Sequence, residues 1–318
     1  EDIYSNVHLK SSKTGHFGRY RQIDVKNTCL RFLNNLFYEQ NLNKLKIVID
    51  CAHGSNFSFA PVVFEHLGAE VIAIGANPDG RNINETGCMN PNKCVEVCGE
   101  VKADFGLCFD GDGDRCLVCT SNQIFDGDWT LAVLTKFRQY VFTKNLNGVV
   151  GTVISNSALG ALCQAEGVGF TRAPVGDVNV LSEMLKNGFN LGGEPAGHTI
   201  LLEKAKFGDG LVTGLALAIV LNSIKQENGD LQCIRGFYSP YPQKHFNFPV
   251  EFRKPLSEFD DLNRAIIDAE KEGMRIVVRY SGTENALRLT IEGRYDEEIE
   301  MHYSRIKRIL IENKLIKS

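Results

Sequence analysis

Three aspartates separated by single glycines, Asp110-Gly111-Asp112-Gly113-Asp114, are followed at once by Arg115. The glycines permit tight turns that gather side chains at i, i+2 and i+4 into one cluster. Such a cluster repels itself: two carboxylates about 4 Å apart cost roughly 1 kcal/mol in water and roughly 4 kcal/mol near a protein surface. A solvated acidic turn explains any one of these residues, whereas three of them between apolar segments imply a bound cation. An EF-hand calcium loop needs Gly after the third aspartate and Glu at its twelfth position, where this chain has Arg115 and Ser121, and it needs flanking helices. Mg²⁺ takes oxygen ligands octahedrally and keeps positions open for water or a phosphate oxygen. With Arg115 adjacent, Asp110, Asp112 and Asp114 read as a metal-assisted phosphate site.

Two further polar loops carry chemistry. In Gly193-Glu194-Pro195-Ala196-Gly197-His198, Glu194 offers a carboxylate that can accept from two sugar hydroxyls. His198 offers a donor to phosphate or a proton carrier, although an ordinary structural loop accounts for either residue alone. In Arg279-Tyr280-Ser281-Gly282-Thr283-Glu284-Asn285, Ser281 and Thr283 supply hydroxyls and Gly282 lets backbone approach a ligand. Arg279 and Arg288 supply forked donors suited to phosphate. Charge-assisted hydrogen bonds contribute about 1.5–3 kcal/mol each, so four or five such donors hold a phosphate firmly. A hairpin turn of small residues is the plain alternative, and the flanking arginines count against it.

The elements that must position these loops follow from periodicity. Phe105, Leu107 and Phe109 alternate, and Leu117 and Val118 resume an apolar run, so two buried strands flank the acidic loop. Apolar residues from Val25 to Phe37 have helical spacing. A strand at 46–50, a helix ending near Leu67 and a strand at 71–74 make a βαβ unit, which implies a parallel sheet. A helix over about 128–143 leads to a second such unit, with strands at 148–154 and 169–173, and a strongly apolar helix at 211–221 closes it. Residues 236–243 read as a linker, and the strands and helices beyond it form a small α+β domain. The expected organisation is therefore a connection at 1–20, α/β domains at 21–143 and 144–240, and an α+β domain at 241–318.

With 35 basic and 39 acidic residues and a net charge of -4, no basic surface suggests nucleic acid. No apolar run reaches membrane-spanning length, and no signal peptide is visible, so the reading is a soluble, cytoplasmic chain. Ten cysteines in a chain this long are read as reduced core residues. Cys116 and Cys119, three apart in a strand, point to opposite faces and cannot share a zinc ion without a break in that strand.

The three loops, in this order, resemble those of the α-D-phosphohexomutase family. Its metal loop Asp-Gly-Asp-Gly-Asp-Arg, sugar loop Gly-Glu-x-Ser-Gly-His and phosphate loop Arg-x-Ser-Gly-Thr-Glu-Pro correspond to residues 110–115, 193–198 and 279–285. The resemblance extends to Gly18-Arg19-Tyr20 and Val175-Gly176-Asp177, and Gly80-Arg81-Asn82-Ile83-Asn84 with Cys88 and Pro91 points to the branch acting on glucosamine phosphates. It implies Mg²⁺ on the three aspartates, catalytic roles for Arg115 and His198, and substrate binding by Gly193, Glu194, His198, Arg279, Ser281, Gly282, Thr283 and Arg288. It also implies a hexosamine phosphate substrate, a hexose 1,6-bisphosphate activator and a place in cell-wall precursor synthesis. Ala196, Val178 and Asn285 depart from the pattern, standing for the usual Ser, Arg and Pro.

The family's Thr-Ala-Ser-His-Asn-Pro-like loop, which carries the phosphoserine, has no counterpart in this sequence, and Ser11 and Ser12 lack its context. The resemblance thus implies a missing N-terminal domain and an inactive chain in isolation. The chain also opens Glu1-Asp2-Ile3-Tyr4 without Met. Within the family the alternative is a phosphoglucomutase or phosphomannomutase; outside it two rivals remain: a phosphatase of the haloacid dehalogenase type, which leaves the second and third loops unexplained, and a non-catalytic sugar-phosphate-binding module.

Overall fold

The computed structural model describes residues 21, 23, 25–37, 40–231, 233–282 and 284–317. The expected connection at 1–20, and Thr283 of the third loop, lie outside the described residues. Ile47, Val48 and Ile49, all fully buried, make β1 (Lys46–Asp50) an interior strand. It pairs in parallel with β2 (Glu70–Ile74) on one side and β3 (Phe105–Phe109) on the other. Helical crossovers make those pairings parallel: after a first helix, α1 (Lys26–Leu36), α2 (Ala60–His66) links β1 to β2, and α3 (Asn92–Val101) leads into β3. The acidic loop then reverses the chain into β4 (Cys116–Cys119), antiparallel to β3, and β5 (Ile124–Phe125) completes the order β2-β1-β3-β4-β5.

Both faces of this sheet are covered. Phe105, Leu107 and Phe109 enter the main core, while Cys108, with Cys119 from β4, packs under α3 against Val48, Cys94, Val97 and Cys98. Cys116 and Cys119 accordingly point into different cores. Cys29, Cys51, Cys88, Cys94, Cys98, Cys108, Cys116, Cys119 and Cys163 are free thiols.

The helix expected over about 128–143 is α4 (Gly127–Lys136), capped by Asp126, which accepts from Trp129 N; a 3₁₀ turn at Arg138–Tyr140 follows. The second sheet has the order β7-β6-β8-β9, built from β6 (Gly148–Thr152), β7 (Gly169–Ala173), β8 (Leu191–Gly193) and β9 (Thr199–Leu201). β6 runs parallel to β7 and β8, and β9 is antiparallel to β8. The crossovers are α5 (Ser157–Ala165) and α6 (Asp177–Asn187). α4 packs against α5 and β8 as well as β4.

Helix α7 (Gly210–Asn228) is buried at every position from Gly210 to Asn222. A helix apolar all round belongs inside a protein, and α7 lies against β3, β4, β9 and α4. One core therefore runs through both α/β units.

The last segment forms the antiparallel order β10-β12-β11, from β10 (Gln243–Pro249), β11 (Arg275–Tyr280) and β12 (Ala286–Glu292). Helices α8 (Asp260–Lys271) and α9 (Asp296–Glu312) cover it with a separate core around Leu262, Leu289 and Ile306. The architecture is the expected α/β one, with two mixed sheets followed by a small α+β domain. A polar seam joins that domain to the second unit. Arg275 donates to Val153 O (2.6 Å) and Ser155 O (2.8 Å) and pairs with buried Glu292 (2.9 Å). Glu292 also accepts from Ser157 N, and Asn156 and Tyr241 exchange two hydrogen bonds. Among the described residues, no helix is long and apolar enough to cross a membrane.

Candidate active site

The acidic loop folds around Asp110, which is 6% exposed. Its Oδ1 accepts from Gly113 N and Arg115 N, both at 3.1 Å, closing the turn through Gly113 at φ +83°. Neighbouring loops fix the rest. Asn84, from the asparagine-rich segment, accepts from Gly111 N at 2.8 Å, and Ser55 N donates to Gly111 O. Asp50, fully buried at the end of β1, accepts from Thr86 Oγ1 and Gly87 N and so anchors that segment.

Asp110, Asp112 and Asp114 each bring a carboxylate oxygen within 4.8 Å of the others. Burial first, then the adjacent Asp114 carboxylate, pushes the Asp110 carboxyl above its ordinary range. Arg115 Nε lies 3.5 Å from Asp110 Oδ2 and 3.6 Å from Asp114 Oδ1. Asp114 Oδ1 and Arg115 Nε are buried without a hydrogen-bond partner. An all-oxygen donor set with an unpartnered buried carboxylate oxygen fits a hard cation such as Mg²⁺.

The second loop is bound to the first. Arg115 and His198 form an antiparallel bridge, Cys116 N donates to Gly197 O, and His198 Nδ1 lies 3.0 Å from Asp114 Oδ2. His198, expected to meet the substrate, is 6% exposed and lies against the acidic loop beneath Gly208, where a Cβ would lie 2.1 Å from Nε2. Glu194 Oε1 accepts from Gly176 N at 2.9 Å, which ties the Val175-Gly176-Asp177 motif to this loop. Gly193 is buried in β8. The N-terminus of α4 supports the loop from below: Gly127 N donates to Pro195 O, and a Cβ on Gly127 would lie 1.9 Å from Glu194 O. The N-terminus of α7 meets the acidic loop, with Gly210 N donating to Gly113 O. Its positive dipole end suits the carboxylates.

In the third loop, Arg279 and Arg288 are paired directly across β11 and β12. Like charges in that position destabilise a sheet, and the Nε of each is buried without a partner. Burial, then the charge of Arg288, lowers Arg279 from its ordinary value, and Glu194 acts on it in the opposite sense. Arg288 also pairs with Glu284 at 2.9 Å. An anion between the two arginines would relieve both the repulsion and the unmet donors. Ser281 is 2% exposed and its Oγ accepts from Glu284 N, whereas Gly282 faces open space. A cleft of about 510 Å³ opens beside Asp112 and Asp114, walled by Phe32, Phe59 and Phe207.

The sequence reading missed Asn84, Asp50 and Gly127 as supports of the site. An asparagine beside a glycine-rich segment is a visible signal for the first; the other two show only in the folded contacts.

This fold and these loops define an α-D-phosphohexomutase, and the chain belongs to that family. Family models described as "Phosphoglucomutase/phosphomannomutase, alpha/beta/alpha domain II", "alpha/beta/alpha domain III" and "C-terminal domain" match residues 29–123, 126–236 and 246–305. Within the family the chain is most like the phosphoglucosamine mutases. It is 36% identical over 299 residues to that of Campylobacter curvus, covering 92% of this chain and 66% of the relative. The Campylobacter concisus protein is 36% identical over 314 residues, covering 98% and 69%. The chain thus spans about two thirds of the length of these relatives. The fold is shared with Aspergillus fumigatus N-acetylphosphoglucosamine mutase, solved with GlcNAc-6P and magnesium, at a TM-score of 0.68 and 17% identity over 88% of this chain and 64% of that one.

Proposed function

We propose that the three loops serve the interconversion of glucosamine 6-phosphate and glucosamine 1-phosphate through a phosphoserine and a bisphosphate intermediate. The observation that carries this reading is the Arg115–His198 bridge. It joins the acidic loop to the Glu194 loop, so the groups suited to phosphoryl transfer stand beside those suited to a sugar. The names of the bacterial relatives support the hexosamine, and the magnesium and GlcNAc-6P held by the fungal enzyme support the cation and the substrate class.

In this reading, Asp110, Asp112 and Asp114 would hold Mg²⁺, which would supply positive charge to a transferring phosphoryl group. Arg115 supplies a further positive charge between Asp110 and Asp114. His198 is a positioning residue that holds Asp114 through Nδ1. Arg279 and Arg288 bind the phosphate that is not reacting, Glu194 accepts from sugar hydroxyls, and this remote binding orients the reacting end. The phosphoryl leaves the phosphoserine for the free hydroxyl, giving a 1,6-bisphosphate. The sugar then turns over and its other phosphoryl returns to the serine, which a domain preceding these three supplies.

Phosphorus NMR on the protein isolated from its source, with Mg²⁺ and glucose 1,6-bisphosphate, tests the reading. Glucosamine 6-phosphate should convert to the 1-phosphate faster than glucose or mannose 6-phosphate isomerise, and Arg288→Met should raise KM more than it lowers kcat. Preferred turnover of glucose or mannose phosphate would reassign the sugar. Release of inorganic phosphate without isomer exchange would favour a phosphatase.

A further inference from the structure

Three cysteines converge under α3, on the face of the first sheet away from the main core, and a fourth packs in the same cluster. Cys94 and Cys98 lie one helical turn apart on α3, on its buried face. Cys119 meets them from β4, at 3.3 Å between Cys94 and Cys119 Sγ and 4.0 Å between Cys98 and Cys119 Sγ. All three sulfurs lie within 4.8 Å of one another and all three residues are fully buried. Cys108, on the same sheet face, packs in the same buried cluster. The room for this meeting comes from Gly106, paired with Cys119 across the strands. A Cβ there would lie 2.5, 2.7 and 2.8 Å from the sulfurs of Cys94, Cys119 and Cys98.

A zinc ion with Zn–S bonds of about 2.3 Å sets its tetrahedral sulfur ligands roughly 3.8 Å apart. The observed separations fall on either side of that value. A disulfide joins only two sulfurs, at about 2.05 Å, and gives no reason for a third to meet them at the same point. Thiolate donors favour soft or borderline ions over the hard cation suited to the acidic loop.

We propose that Cys94, Cys98 and Cys119, with Cys108 as the fourth donor, form a structural zinc site that fastens α3 to the strand pair carrying the acidic loop. Cys108 lies two residues before Asp110 and Cys119 four after Arg115, so the ion braces both stems of that loop from behind. This inference does not depend on the substrate assigned above.

The test is metal analysis of the reduced, folded 318-residue chain expressed with zinc, followed by exchange of the bound ion for Co²⁺. About one zinc per chain is expected, with a thiolate-to-cobalt charge-transfer band after exchange. Cys98→Ser and Cys119→Ser should each lose the zinc and the band. Cys88→Ser and Asp112→Asn should keep them, the latter separating this ion from any on the acidic loop. Absence of the band from folded wild-type protein whose thiols titrate as reduced would overturn the proposal, and so would its survival in both variants. Because the wild-type spectrum decides by itself, a variant that fails to fold leaves the test intact.

Discussion

Replacing Arg275 by methionine probes the attachment of the C-terminal domain. The guanidinium donates to Val153 O at 2.6 Å, to Ser155 O at 2.8 Å, and to the two oxygens of Glu292 at 3.1 and 2.9 Å. Methionine keeps the apolar stem and removes all four contacts. Ser155 O retains a donor in Arg172, but Val153 O loses its side-chain donor. Glu292, 4% exposed, keeps Ser157 N and Gln243 Nε2 as hydrogen-bond donors among the described residues, but no longer has a countercharge in Arg275. Removing one member of a buried ion pair costs about 3–5 kcal/mol, and that is the expected loss of docking stability. Urea unfolding can be followed through Trp129, the single tryptophan. It stacks on Phe125 and meets Phe237 edge-on near the linker. With more than one cooperative unit present, each transition is fitted separately. The C-terminal transition should move to lower urea and protease cleavage at 236–242 should quicken. The double variant Arg275→Met/Glu292→Met should recover most of the loss, since neither charge is then stranded. A loss below about 1 kcal/mol, or a double variant no better than the single one, refutes the reasoning.

Asp128 gives a pH test: burial, then the charge of Asp126, raises its carboxyl to about 7. The native state therefore holds a proton that the unfolded chain releases near pH 4, so the stabilisation is present at low pH and lost as pH rises through about 7. Between pH 5 and 8 this amounts to on the order of 2–3 kcal/mol, and Asp128→Asn should flatten the slope in thermal melts; an unchanged slope assigns the pH dependence elsewhere. Gly127→Ala forces a Cβ against Glu194 O. It should cost about 1–3 kcal/mol and weaken sugar-phosphate binding at least about tenfold by calorimetry, leaving the C-terminal transition in place. Asp112→Asn should abolish saturable Mg²⁺ binding in the same instrument, and retained binding would remove the acidic loop as the magnesium site.

Contiguous chemistry is legible in the sequence. The acidic loop announces itself through glycines at every second position, and its flanking strands through the alternation of Phe105, Leu107 and Phe109. The pairing of Arg279 with Arg288 follows once the hairpin is recognised. What escapes is whatever depends on register or on residues far apart. His198 offers a proton carrier on paper, and only the bridge to Arg115 reveals that its ring lies against Asp114. Arg275 reads as an ordinary strand residue, because its carbonyl partners at 153 and 155 carry no side-chain signature. Cys94 and Cys98 show helical spacing, yet only the pairing of Gly106 with Cys119 reveals that a third sulfur meets them. The end of α4 also moves, from the expected Thr143 to Lys136, because the apolar residues beyond it belong to a 3₁₀ turn and the following connection.

Because α7 is enclosed from Gly210 to Asn222, the first two units should be inherited as one. A polypeptide cut between 123 and 126, where one family segment gives way to the next, would leave Leu211, Leu215 and Leu217 facing water on one piece and Leu107 and Phe109 uncovered on the other. Exchanges between relatives should therefore succeed at 236–242 and fail at 123–126. The acidic loop and the Glu194 loop should then change together over generations, while the Arg279–Arg288 pair can be replaced with its own domain.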